Sequence, residues 1–134
     1  LSSKILVDEL AGKTAAGNIT ITSEGGSATM QLQQGLAKAW GQLTSISTTA
    51  MQDSLNVASV TDNGTGSSDL NWSNVFNNDD YATTTSAERS SFYHAIGHST
   101  ANTATNHFTL NTTNTSWNAE DAEEVHFISM GDLA

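Results

Sequence analysis

Past residue 44 the chain alternates apolar and polar positions in short runs set off by polar turns. The runs fall at Leu55 to Val60, Asp69 to Ser73, Tyr81 to Thr85, Phe92 to His98, His107 to Thr112 and Val125 to Met130. A two-residue period marks a strand, because successive side chains leave opposite faces of the pleat. It puts Leu70 with Trp72, Phe108 with Leu110 and Val125 with Phe127, each pair on one face, and these six are the predicted core. Asp62-Asn63-Gly64-Thr65-Gly66 reads as a turn between two strands. Short strands at this spacing predict an all-β chain whose residues 44–134 form an antiparallel β-sandwich or jelly-roll-like knob.

The N-terminal part is patterned differently. Residues 1–27 hold Ile5, Leu6, Val7 and Leu10, then Ile19 and Ile21 alternating with Thr20 and Thr22, punctuated by Gly12, Gly17, Gly25 and Gly26. This predicts an arm of two short strands hinged at Gly25-Gly26, too small to bury Ile5, Val7, Ile19 and Ile21 by itself. Over residues 28–43, Leu32, Leu36, Ala39 and Leu43 form an apolar seam of about two heptads. The seam predicts one short helix, either packed on its own domain or aligning subunits as an oligomerisation segment. Gly35 and Gly41 oppose it by roughly 1 kcal/mol each relative to Ala, and a strand opening at Trp40 is the alternative.

Composition reinforces the β reading, since Ser, Thr, Asn and Gly make up 58 of 134 residues and only 13% are charged. With so few large apolar residues the core is thin unless subunits share it, so oligomers are expected. The net charge of −10, with only four Lys and Arg, sets aside nucleic acid and anionic membranes as partners. Cysteine is absent, which excludes disulfides, thiolate zinc sites and a cysteine nucleophile. No window holds the ~18 apolar residues of a membrane span, and the first residues do not read as a Sec leader.

Candidate chemistry is sparse. His94 and His98 share a strand face about 13 Å apart, too far to hold one metal within a chain, although three copies of one histidine around a trimer axis remain open. His107 and His126 read as outward polar positions beside Phe108 and Phe127. Asp62 to Asp69 offers oxygen ligands but lacks an EF-hand pattern, and no nucleophile elbow, phosphate-binding loop or dinucleotide fingerprint occurs. No catalytic residue, cofactor or metal ligand is therefore assigned. Tyr81, Tyr93 and Trp117 are the candidate exposed aromatics for stacking on sugar faces. Asp79, Asp80, Glu120 and Asp121 supply a competing reading as glycan-cleaving catalysts, which requires two carboxylates about 5–10 Å apart.

The stretch Leu32-Gln33-Gln34-Gly35-Leu36-Ala37-Lys38-Ala39-Trp40 and the later Asp53-Ser54-Leu55-Asn56-Val57-Ala58-Ser59-Val60-Thr61-Asp62-Asn63-Gly64-Thr65-Gly66 resemble a family of tailed-bacteriophage virion proteins of the marine phage type. Lys4 to Thr14 is similar to the segment with which members begin. The sequence departs from the family after Trp40, where Gly41-Gln42-Leu43-Thr44 replaces an apolar and aromatic strand. The resemblance implies a virion fibre or knob protein, tail-fibre-like or a capsid decoration component, in contact with other virion proteins and trimeric as such fibres usually are.

These readings combine into an expectation: a structural virion protein with an attachment arm carrying Ile5, Val7, Ile19 and Ile21, a seam of Leu32, Leu36, Ala39 and Leu43 that sets a homotrimer in register, and a knob that binds a host-surface glycan. A decoration or head-fibre protein without a receptor role is the alternative.

Overall fold

A computed structural model describes residues 4–15, 18–89, 92–93, 95–98 and 104–134, with the side chains of 89, 92–93 and 95–98 excepted. The chain divides into two compact units, residues 1–36 and 37–134. In the first, β1 (Thr20–Thr22) and β2 (Thr29–Gln31) form an antiparallel hairpin with Ile21 opposite Met30. Gly25 and Gly26 lie in the turn of this hairpin, where Gly26 takes φ 73° and its amide donates to Ser23 O, so they do not form the expected hinge. Residues 4–15 carry no strand, against the expectation of one around Ile5 to Leu10.

The second unit is an antiparallel sandwich. Its strands are β3 (Ala39–Thr44), β4 (Ala50–Leu55), β5 (Val57–Gly64), β6 (Ser67–Trp72), β7 (Ala82–Arg89), β8 (Phe92–Tyr93), β9 (Ala95–His98), β10 (His107–Thr113) and β11 (Glu124–Met130). One sheet has the order β4-β3-β11-β7-β8 and the other β5-β6-β10-β9. The chain crosses between sheets at Asn56: Leu55 pairs with Trp40 in the first, and Val57 pairs with Trp72 in the second. Asn56 makes the corner at φ 62°, a left-handed conformation that Asn tolerates better than most residues. Its side chain secures the corner, accepting from Asn74 N at 2.7 Å and donating to Asn74 O at 3.0 Å.

The predicted core is the observed one. Leu70, Trp72, Phe108, Leu110, Val125 and Phe127 are all buried, joined by Ala39, Leu43, Phe76, Tyr81 and Ala122. Phe76 stacks on Tyr81 at 4.0 Å, and Trp72 meets both edge-on at 5.6 and 6.1 Å, so an aromatic cluster closes one end of the core. At the other end Ser45 Oγ accepts from Ala122 N at 2.9 Å.

The expected helix over 28–43 does not form. Its residues make β2, one 3-10 turn at Gln33–Gly35, and β3. Leu32, Leu36, Ala39 and Leu43 therefore share no helical seam; Ala39 and Leu43 are fully buried in the sandwich, whereas Leu36 is exposed in the N-terminal unit. Within β3 the governing period is two, with Ala39, Gly41 and Leu43 inward, and pairing with β4 and β11 on both sides outweighs local helix propensity. Gly41, read as a helix weakener, is demanded by packing: it faces Phe127 across the ladder, and a Cβ there would lie 2.9 Å from both Phe127 Cζ and Asp53 O.

Candidate functional site

The same pleat that buries Ala39, Leu43, Val125 and Phe127 sends their neighbours to the outer face of the five-stranded sheet. Two rows result. Leu55, Trp40, Ile128 and Thr84 lie side by side on β4, β3, β11 and β7, and Asp53, Gln42, His126 and Ser86 form the adjacent row. All of these except Leu55 line a surface depression of about 480 Å³.

Local structure explains the hollow. Small side chains, Thr84 and Ser86, occupy its β7 side. On the β4 side the register slips between Gln42 and Leu43, whose partners are Asp53 and Met51, leaving Gln52 unpaired in a bulge. A bulge bends its strand and sharpens the twist. The Asp53 carboxylate is further fixed by accepting from Ser54 N at 2.8 Å.

Trp40 is 38% exposed, flanked by Leu55 and Ile128. His126 is exposed, as expected of an outward position, and its Nε2 lies 3.4 Å from Glu124 Oε2, an ion pair when the imidazole is protonated. Chemically the depression offers one aromatic surface, an amide, two hydroxyls, an imidazole and one carboxylate. Among the described residues, neither Lys nor Arg lines it.

The three aromatics expected at the surface have different fates. Tyr81 is buried in the aromatic cluster, its hydroxyl donating to His107 O at 2.8 Å and within 3.2 Å of Ala104 O, so it cannot serve as a surface contact. Burial pushes its phenol above the ordinary value of 10.0, reinforced by the nearby Asp79 charge and opposed by the hydrogen bond from Trp72. The side chain of Tyr93 lies outside the described residues, as do those of His94 and His98.

Trp117 is 79% exposed. It sits in a loop braced by Asn114, whose Oδ1 accepts from Ser116 N at 3.0 Å and Asn118 N at 3.1 Å. The Trp117 backbone takes φ 64°, which costs an L-residue about 1–2 kcal/mol. The loop joins β10 to β11 at the end of the sandwich where β3 finishes, opposite the end where the chain enters the unit.

The carboxylates of the competing catalytic reading do not assemble. Asp79 and Asp80 precede β7 beside the last residue of β11, whereas Glu120 and Asp121 precede the first. A strand of that length holds the two pairs on the order of 20 Å apart. Asp121 instead accepts from Gly66 N at 2.7 Å, Asp62 caps Gly64 N at 2.8 Å, and Asp69 accepts from Thr109 Oγ1 at 2.6 Å. These acids hold turns and strands together.

In the N-terminal unit Ile5 is 83% exposed and Val7 and Ile21 are exposed, while Ile19 is half-buried. The outer-face depression was not predicted as a site. Its one legible signal was Trp40 at the head of a possible strand; Asp53 carried no mark, because its role depends on a register that only the fold sets. No protein-family model, curated protein or solved structure matches the chain.

Proposed function

We propose that the protein is a structural component of a bacteriophage virion, a fibre or knob whose N-terminal unit attaches to other virion proteins and whose sandwich is displayed for host-surface glycan binding. The observation that carries this reading is the contrast in exposure within one chain. Ile5, Leu6, Val7 and Leu10 all face solvent in a segment without a core, while the sandwich buries its own aromatics. An apolar run left open in this way is suited to docking on a partner. The resemblance at Leu32 to Trp40 and Asp53 to Gly66 supplies the virion setting. The braced loop carrying Trp117, at the end of the sandwich away from the chain entry, supports outward display.

Trimeric assembly belongs to the proposal on the symmetry that the resemblance implies; the helical seam no longer supports it. The test is the double substitution Ile5→Asp and Val7→Asp in the full chain. The variant folds with unchanged melting temperature and is lost from purified particles. Normal incorporation of the variant, or placement of the chain outside the particle by virion reconstruction, refutes the reading.

A further inference from the structure

The geometry points to the depression around Trp40 as a binding site for an uncharged oligosaccharide. The inference rests on the glycan-binding role proposed above and deepens it by naming the face and the ligand chemistry. Four observations converge on it.

First, Trp40 presents an aromatic surface at the head of the depression, and the apolar C–H faces of a pyranose ring are the natural partners of such a surface. Second, the adjacent row supplies the complementary polar groups. Asp53 accepts hydrogen bonds, Gln42 both donates and accepts, and Ser86 and Thr84 do either, which matches hydroxyl groups that themselves donate and accept. Third, the four strands from β4 to β7 span about 14 Å at the usual spacing, and the depression of about 480 Å³ falls in the range of small-molecule sites, so a short oligosaccharide fits along the row.

Charge makes the fourth point and sets the ligand class. With Asp53 on the lining, Glu124 beside His126, and no Lys or Arg among the described residues of the lining, a sialylated, uronate or sulfated glycan meets repulsion with no permanent cation to offset it. An uncharged glycan meets none.

The experiment uses the full chain on an array of oligosaccharides built from glucose, galactose, mannose, N-acetylglucosamine and fucose, beside sialylated, uronate and sulfated arrays. Titration of the best uncharged trisaccharide then follows. Binding is expected on the uncharged array alone. Trp40→Ala weakens it at least tenfold and Asp53→Asn about fivefold, each with the melting temperature of the parent; Asp53→Asn keeps the test open should Trp40→Ala fail to fold. Absence of millimolar or tighter binding to the uncharged array, or preference for the anionic arrays, overturns the site.

Loss of binding in Trp117→Ala with none in Trp40→Ala or Asp53→Asn moves the contact to the loop; it overturns this inference while leaving the virion role intact. Dissociation of an oligomer by Trp40→Ala, read by sedimentation, assigns the face to a second copy and overturns it as well. Incorporation of the Trp40→Ala chain into particles, measured separately, distinguishes failure of this site from failure of the virion reading.

Discussion

The two units of this chain are stabilised by different means. The sandwich buries Phe76, Leu43, Leu70 and Val125 almost completely around an aromatic cluster. The N-terminal hairpin buries nothing comparable: Ile21 and Met30, paired across it, are 43% and 53% exposed, and its order rests on backbone ladder bonds and the Gln31 amide, which donates to Asn18 Oδ1 at 2.8 Å. Each such hydrogen bond is worth about 1 kcal/mol net, and a lone two-stranded hairpin is marginal in water. The contrast teaches that one chain can hold a self-sufficient core beside a segment whose apolar residues are left for something else.

Substitutions should sharpen this contrast. The largest effect is expected from Phe76→Ala, which removes a stacked, fully buried ring and costs about 3–5 kcal/mol in chemical denaturation. Ile21→Ala in the hairpin should change stability by no more than about 0.5 kcal/mol, and an equal loss in both variants would erase the distinction.

Gly41→Ala comes next. The added methyl meets Asp53 O, a backbone atom that cannot swing aside, and the Phe127 ring, so overpacking should cost about 1–3 kcal/mol; calorimetry of the variant measures it.

A smaller effect within the sandwich concerns Tyr81. Its phenol is raised in the folded state, so the folded protein holds that proton more tightly than the unfolded chain does. The resulting stability is fully present below the unfolded value of about 10 and is lost as pH rises toward and through the folded value. Tyr81→Phe should cost about 1 kcal/mol at neutral pH through the missing hydroxyl bond, and should flatten the alkaline decline seen in melting curves of the parent. A decline of equal steepness in both proteins would show that Tyr81 does not cause it.

The sequence made the sandwich strands legible where side chains alternate cleanly. Leu70 with Trp72, Phe108 with Leu110, and Val125 with Phe127 needed only the two-residue period. Residues 28–43 misled because Leu32, Leu36, Ala39 and Leu43 satisfy a helical spacing by coincidence, while β3 is decided by partners 15 and 82 residues away, Leu55 opposite Trp40 and Val125 opposite Leu43.

Phe76 lies in a connection without periodicity, and Tyr81, first in its predicted run, could face either way, so nothing local told them from surface aromatics. The candidate site was only partly legible for the same reason. Trp40 stood out by residue type, but Asp53, Gln42, His126 and Ser86 become neighbours only through the register of four strands drawn from distant parts of the chain.

The corner at Asn56 has a consequence for how copies of the protein can coexist. β4 and β5 are the outermost strands on one side of their respective sheets, and an outermost strand normally offers a row of open amides and carbonyls to any passing strand. Here the two are one continuous run of chain folded over at Asn56, so the two exposed borders are tied together and bent away from a flat template. On the other side β8 and β9 stand almost as close in sequence, one in each sheet. The sandwich thereby carries its own protection against edge-to-edge aggregation at this border, and that protection resides in the corner that Asn56 and Asn74 hold.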